Sequence, residues 1–487
     1  MASVVDVCIL GAGASGLACA VECARELRRS GDRSTRVVVL EAGSKPGRSI
    51  LASGNGRCNF SNLALASSRK RDMYCNAAFV EEAAEALAES PAVGVLPWFR
   101  QLGLVWRADD AGLGMLYPYS NKASSVLDVL LVACERWGVE VVPEVRISQV
   151  EHATRGAASF LLAGERAFEK SRTKTAKGRI KRELSWEPFE LACAKLVIAV
   201  GGALPTESLA RLVPGHAVLP FEPALTALDV LGDDLLGLDG VRAKVTARVL
   251  EAYAPFQGSV EHQDLGADQS ANQASYLVAD LGVNPGAGRS ANRSMDWGTG
   301  RSEGPAFQES GEVLFRDRQI SGILSFNLSR QLLHGGRVAF DFAPEYDTHD
   351  LVDLLLFMMK NTDAHSPSEL LRGMFAPALA RALARKAGIG ASQAQLAEAD
   401  IAKLAQAIKC FELEVSGVNP VHAPQVHRGG VAVNQLCPVT LESKKTPGLF
   451  VLGEAVDVDG PCGGYNLDWA WTSGILAGQA ILKEILH

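Results

Sequence analysis

No two of the ten cysteines in this 487-residue sequence form a CxxC pair. Cys8, Cys19, Cys23, Cys58, Cys75, Cys134, Cys193, Cys410, Cys437 and Cys462 are scattered. That spacing argues against zinc or thioredoxin-type motifs and reads as reduced thiols packed as small hydrophobes, with no metal site expected. Aromatics are sparse at 6%, so Ala, Leu and Val must build the cores. No apolar run approaches the ~20 residues that a bilayer requires. The richest segments, Leu354–Met359 and Val126–Cys134, are short or broken by a carboxylate. Positive charge is not in excess: 48 Lys+Arg against 55 Asp+Glu give −7. Such a balance offers no global attraction to phosphate backbones, so nucleic acid is not expected as a partner. Met1–Asp6 lacks a basic segment and runs into a strand pattern, so no signal peptide is expected. A cytoplasmic chain without a membrane partner, acting on a small molecule, is the expectation. With 47% hydrophobic and 21% charged residues the chain is globular in composition, and its length suggests about three domains at ~150 residues each.

What is present begins at the amino end. Val4–Leu10 is a nearly continuous apolar run, suited to a strand buried on both faces of a parallel sheet. Gly11-Ala-Gly-Ala-Ser-Gly16 follows, then Leu17–Arg29 reads as an Ala-rich helix and Arg36–Leu40 as a second strand ending at Glu41. In that β-α-β setting Gly11 permits a tight turn and Gly13 lets the backbone approach a pyrophosphate. Gly16 allows close packing of helix on sheet, and the helix N-terminus at Ala14 and Ser15 offers N–H donors. Glu41 falls 25 residues after Gly16. A carboxylate there accepts from a ribose diol and disfavours a 2′-phosphate, which suits FAD or NAD rather than NADP.

Further buried strands are expected at Lys195–Val200, ending in Gly201-Gly202, and at Gly448–Leu452, ending in Gly453-Glu454. Gly463-Gly464-Tyr465-Asn466 then opens an apolar helix running to about Leu486. Sheet strands at both chain ends predict one discontinuous nucleotide-binding domain, residues 1–205 plus 411–487, with material inserted between. Residues 206–345 carry the alternation of antiparallel strands, as in Ala243–Val249 and Gly335–Phe342. Residues 346–410 read as helical: Leu351–Met359, Leu370–Arg385 and Ile401–Ile408. Two stretches look grafted onto this α/β plan. The basic run Lys170–Arg182 reads as a solvated hairpin tip, and Pro255–Gly311 as a flexible insertion. The return to the sheet at the far end favours FAD over NAD. A carboxylate at Glu454 then holds ribityl hydroxyls, while the dipole of the last helix stabilises reduced flavin.

Lys45-Pro-Gly-Arg-Ser-Ile-Leu-Ala-Ser-Gly-Asn-Gly-Arg-Cys-Asn-Phe-Ser-Asn62 resembles the KPGRK-hydrophobic-SGGGRCN-x-TN signature of BaiN-type flavoproteins, also labelled the aminoacetone-oxidase family of FAD-binding enzymes. Leu449–Trp471 is similar to that family's GE-x-x-D-x-x-G-x-x-GGYN-hydrophobic-x-WAW block. Tyr117–Ala123, Phe221–Leu225, Gly311–Phe315 and Gln425–Val431 match weaker segments. The resemblance implies a glutathione-reductase-like Rossmann domain holding FAD, an inserted β-rich, barrel-like domain and a small helical subdomain. It implies that Ser53–Asn59 wraps the isoalloxazine and that Val145, after the strand Val139–Val142, touches the adenine through its backbone. The cofactor set is then Gly11, Gly13, Ala14, Ser15, Gly16, Glu41, Ala42, Arg48, Ser53, Gly54, Gly56, Arg57, Cys58, Asn59, Val145, Gly201, Gly202, Gly453, Glu454, Gly463, Gly464, Tyr465, Asn466 and Leu467. Gly54 and Gly56 let backbone N–H groups face the flavin, and Arg57 and Asn59 bond to its polar edge.

The sequence also departs from that pattern. Asn55 stands where the family has Gly, Ser321-Gly-Ile where many members show Ser-Gly-Pro, and His427-Arg428 where Thr and a small residue are commoner. Tyr465, for positioning substrate, His427, as a proton donor, and Arg57 are the candidate catalytic residues; Cys462 is a thiol beside Gly463. The expected function is an FAD-dependent oxidoreductase transferring hydride through flavin N5. It would be an NADH- or NADPH-linked reductase of a small organic or steroid-like unsaturated substrate. An oxygen-using amine or amino-ketone oxidase producing hydrogen peroxide is the alternative. A flavin-binding redox sensor or RNA-associated flavoprotein is the reading from another class, with Lys170–Arg182 in its favour. No second GxGxxG follows Gly201-Gly202, so NAD(P)H would visit the flavin transiently. Substrate identity and oligomeric state are not legible at this level.

Overall fold

A computed structural model of the chain describes all residues except 1–2, 67, 110–111, 156–157, 175–179, 255–306, 363, 391–395, 419–423 and 487. Most of the expected insertion, and the tip of the basic hairpin, lie outside the described residues. A central sheet runs in the order Glu140–Pro143, Val37–Glu41, Ser3–Leu10, Ile180–Ile198, Ala158–Lys174, Val145–Arg155, with Leu449–Val451 added beside the end of Ile180–Ile198. Its first strands pair in parallel, Leu10 opposite both Leu40 and Ile198, and Val451 also faces Ile198. The fingerprint turn and the C-terminal turn therefore end on one edge of the sheet, where open α/β sheets bind ligands.

The helix Ala14–Arg29 lies against the last helix, Tyr465–Leu486, at a separation only glycine permits. A Cβ on Gly474 would sit 2.4 Å from the Ser15 carbonyl oxygen, and one on Gly478 2.8 Å from that of Cys19. This contact carries the first and last segments of the chain as one body.

The second hydrophobic core belongs to a closed barrel of Leu228–Val230, Gln319–Ser321, Gln308–Arg316, Arg242–Ala252, Gly336–Asp341 and Phe411–Val418. Phe315, Phe340 and Phe411 fill it, joined by Leu351, Leu383, Ile401 and Leu404 from the helices Thr348–Asn361, Pro377–Lys386 and Glu398–Lys409. Helices and barrel thus share one interior. Three boundaries differ from expectation. Phe411–Val418 closes the barrel rather than returning to the central sheet, because its alternate residues point into the barrel core. Gln308–Gly311, placed in the flexible stretch, begins a barrel strand paired with Val245–Arg248. The helix expected over Leu370–Arg385 is broken into Pro367–Leu370, a tight turn, and Pro377–Lys386. Pro377 lacks an N–H and would clash inside a helix, so it starts a new one.

One buried charge cluster fastens the barrel to the sheet. Arg330, just past the barrel helix Ile323–Ser329, donates from Nε to Asp459 Oδ2 at 2.6 Å and from Nη2 to the Asp459 carbonyl at 3.0 Å. Arg428 Nε reaches the other carboxylate oxygen at 3.2 Å. Asp459 is fully buried. Burial pushes its pKa up, but the two guanidiniums outweigh this and hold the carboxyl below its ordinary range. Removing one partner of such a cluster leaves an uncompensated buried charge. Asp459→Ala is therefore expected to lower the unfolding free energy by about 3–5 kcal/mol, measured by urea denaturation, whereas an exposed pair such as Arg242–Glu312 changes it by less than about 1 kcal/mol when broken.

Candidate cofactor and active site

At the C-terminal edge of the sheet, Gly11 has φ +105°, and a Cβ there would lie 2.4 Å from the Ala199 carbonyl oxygen. The turn is thus fixed by backbone contact with the neighbouring strand. Gly13 caps the helix Ala14–Arg29 with no side-chain hydrogen bond and no acid in the first turn. The first-turn N–H groups remain available to an anion. Glu41 turns back on this loop: Oε2 accepts from Ala12 N at 2.9 Å and Oε1 from Gly43 N at 2.7 Å. Each oxygen keeps a further lone pair for a diol. Val145 is buried nearby, next to Glu144, whose N–H donates to the Gly43 carbonyl. Ser49, beside Arg48 at the start of the short helix Arg48–Ala52, lies against Gly13.

The two signature blocks meet here although some 400 residues separate them. A Cβ on Gly453 would touch Ser15 Oγ at 2.7 Å, and one on Gly464 would approach the Ser61 carbonyl oxygen at 2.4 Å and Asn59 Oδ1 at 2.8 Å. Asn62 Nδ2 donates to the Gly463 carbonyl at 2.9 Å, and Trp471 Nε1 to the Phe60 carbonyl at 2.9 Å. Trp469 Nε1 and Ser473 Oγ hold the carbonyl and N–H of Gly453. Gly54 and Asn55 take left-handed backbone at φ 55°, wrapping the loop Ser53–Gly56. The buried Cys58 thiol is pushed up to about 11 by burial.

The candidates divide when placed. Glu454 Oε1 accepts from the His427 N–H at 2.6 Å and faces His427 Nδ1 at 3.2 Å. Both crowd Gly202, whose missing side chain makes room for them. His427 is thus braced against Glu454. Asn466 turns inward, accepting from Gly460 N and donating to its carbonyl, both at 2.8 Å, so it braces the turn before the last helix. Arg57 is exposed, with its guanidinium 4.8 Å above the Tyr117 ring. Tyr465 is buried at the mouth, edge-on to Tyr74 at 5.7 Å, and burial raises its phenol above the usual range. Cys462 beside it is pushed up to about 12, chiefly by burial.

Several residues were not anticipated. Asn327, on the barrel helix, accepts from Cys462 N at 2.8 Å and donates to Glu309 at 2.7 Å, so the barrel forms one wall of the cleft. Asp468, in the first turn of the last helix, accepts from Ser61 Oγ at 2.6 Å, and its carboxyl is pushed up to about 6 by burial. Such contacts span hundreds of residues, and no local pattern announces them.

FAD fits this cradle. The clearest sign is Asn59 Oδ1, a buried acceptor with no partner among the described residues, lying where the two glycine-rich blocks meet. An unmet acceptor is costly in a dry site and suits a ligand N–H. The helix N-terminus suits a pyrophosphate, and Glu41 a ribose.

The HI0933-like protein Rossmann domain matches residues 5–480 of the chain. The 3-dehydro-bile acid delta(4,6)-reductase of Clostridium scindens is 28% identical over 485 residues, covering 98% of each chain. The ribosomal RNA dihydrouridine synthase of Escherichia coli is 27% identical over the same length, again covering 98% of each. Among solved structures, a 3-ketosteroid-delta4-(5alpha)-dehydrogenase from Rhodococcus jostii overlaps 99% of this chain and 97% of its own at 13% identity and a TM-score of 0.43. The chain binds FAD and is an FAD-dependent oxidoreductase. Among the described residues no helix is long and apolar enough to cross a membrane.

The raised Asp468 carboxyl has a measurable consequence. Its folded pKa lies above the unfolded value, so the ionised form is disfavoured by folding. That penalty grows as pH rises from the ordinary carboxyl range toward 6 and is complete above it. Asp468→Asn is therefore expected to raise the melting temperature near neutral pH, with the gain shrinking toward about pH 4; thermal unfolding of both proteins across that range checks it.

Proposed function

This chain belongs to the HI0933-like family of FAD-dependent oxidoreductases, and from that premise we propose that it reduces a carbon–carbon double bond conjugated to a carbonyl, with NADH or NADPH as a transient electron donor. The observation that carries the reading is the pair of weak acids at the mouth. Cys462 and Tyr465 flank the Gly463-Gly464 turn, and burial keeps both protonated at neutral pH. Reduction of a conjugated double bond needs a proton at the carbon next to the carbonyl, and an acid held in its protonated form supplies one. Amine oxidation instead needs an unprotonated acceptor. His427, the obvious candidate base, is engaged with Glu454.

Two relatives bear names that fit this chemistry. One is a delta(4,6)-reductase of a 3-dehydro bile acid, the other a dihydrouridine synthase. An enone and a uracil ring both present a double bond conjugated to a carbonyl. When bound, FAD supplies hydride chemistry at its N5. The first-turn amides of Ala14–Arg29 and the Glu41 carboxylate would hold the nucleotide, and Asn59 would accept from the flavin's polar edge. Tyr465 gives its proton to the substrate carbon and regains one from solvent. Gly201-Gly202, packed against Glu454 and His427, leaves no second dinucleotide cradle there, which supports a visiting rather than resident nicotinamide.

Anaerobic mixing of the purified yellow protein with NADH or NADPH is expected to bleach the visible flavin band, and a conjugated enone or uridine to restore it. A band that persists with both nucleotides overturns the reading in favour of an oxidase. Tyr465→Phe is expected to slow the recovery step by about a hundredfold or more while leaving the bleaching rate unchanged.

A further inference from the structure

Past the edge of the central sheet, the strands Ala158–Lys174 and Ile180–Ile198 run on as a two-stranded ribbon. The neighbouring strand Val145–Arg155 begins only at Val145, opposite Arg166, so Ala167–Lys174 pairs with Ile180–Trp186 alone. A two-stranded hairpin is marginal in water and needs packing or a tether. Here the tether is fastened to the residues on either side of Val145. Arg182 grips Glu144 with both terminal nitrogens, Nη1 to Oε1 at 2.8 Å and Nη2 to Oε2 at 2.9 Å, and its Nε donates to Glu169 Oε2 at 2.6 Å. The Ala167 N–H donates to the Glu144 carbonyl at 2.9 Å. Beyond Val145, the Arg146 guanidinium lies 3.9 Å from the centre of the Trp186 ring.

The same tether reaches the nucleotide cradle through two hydrogen bonds. The Glu144 N–H donates to the Gly43 carbonyl at 3.0 Å, and the Gly43 N–H donates to Glu41 Oε1 at 2.7 Å. Glu41 is the carboxylate that suits a ribose, and its Oε2 is held by Ala12 N in the fingerprint turn. Gly43 leaves little slack, since a Cβ there would lie 2.9 Å from Glu41 Oε1. Glu144 makes its contacts from left-handed backbone, φ 61°, which a residue with a β-carbon keeps only where its surroundings hold it. The Glu144 side chain is 13% exposed, and the planar fork of Arg182 matches both of its oxygens.

A surface ion pair contributes little to stability by itself, and a ribbon tethered for its own sake would leave the cofactor indifferent. The place of Glu144 gives this pair a second consequence. Without Arg182 the Glu144 turn is free to relax out of the left-handed region, which draws Gly43, and with it Glu41, away from the nucleotide. We propose that Arg182 is a positioning residue for FAD, and that the ribbon acts as a latch on the adenosine end of the cofactor. The latch governs how tightly FAD is held and not what the flavin reduces, so it stands apart from the double-bond reductase reading.

Serial dilution of the FAD-loaded enzyme, followed by the recovery of free-flavin fluorescence, measures the dissociation constant. Arg182→Ala and Glu144→Gln are each expected to raise it about fivefold or more. The double variant should lose no more than the weaker single variant, because either change alone opens the latch. Arg182→Lys keeps the charge without the fork and should fall between. Arg242→Ala, which breaks the exposed barrel pair with Glu312, should leave the constant at its wild-type value. At saturating FAD the visible flavin band of the Arg182 variants should match wild type, since the flavin end of the site is untouched. Should Arg182→Ala not fold, Arg182→Lys with Glu144→Gln completes the same cycle. A constant unchanged by either single substitution overturns the proposal and leaves Arg182 a tether of the ribbon alone. Additive losses in the double variant, or a flavin band that shifts along with the loss, overturn it too, because they mark a general loosening of the site.

Discussion

The carboxylate of Asp459 must be neutralised where it stands, because no water reaches it. Its partners come from separate parts of the chain: Arg330 from the end of the barrel helix, Arg428 from the strand Val426–Val431, and Cys75, whose sulfur accepts from the Asp459 N–H at 2.9 Å. A buried ion cluster of this kind contributes little net stability compared with apolar packing of the same volume. What it does fix is geometry, since any displacement of the barrel against the sheet exposes a guanidinium or a carboxylate to a medium that cannot solvate it. The wall contributed by Asn327 and Glu309 is thereby held at a set distance from the Gly463-Gly464 turn. The substrate cleft is a product of that constraint.

The same turn depends on close backbone approach. Gly464 sits with its α-carbon against the Ser61 carbonyl, and Gly453 against Ser15, so two loops distant in sequence share one narrow space. A narrow space dehydrates the groups that line it. Asp468, Cys462 and Tyr465, on or beside the start of the last helix, all move toward their neutral forms for this reason. The chemistry available to the site is thus a consequence of packing density, which shifts each of these groups toward its protonated form.

Much of the nucleotide site was legible because its rules are local. A buried strand, a glycine turn, a helix without a capping side chain and an acid at the end of the next strand each follow from a few neighbouring residues. The flavin blocks were legible as patterns, although the inward turn of Asn466 and the bracing of His427 by Glu454 were not. Those depend on which segments meet. Asp459 was hidden for the same reason: its contacts to Cys75 and Arg330 span 384 and 129 residues. Two misread boundaries had local signals after all. Pro377 marks a helix start, and the alternation of Phe411–Val418 marks a barrel strand.

The net charge of the chain describes one scale only. A sum of −7 describes the far field of the molecule, which salt extinguishes within about 8 Å. A partner already at the surface responds to the charges within that distance. Around Tyr117 and Tyr119 those are Arg57 and Arg107, while the nearest acid, Asp109, is engaged with backbone amides. An acidic protein therefore carries two exposed guanidiniums beside its cofactor loop, Arg57 over the buried Tyr117 ring and Arg107 over the exposed Tyr119 ring. Long-range attraction is weak, so whatever meets that surface is selected by short-range contact.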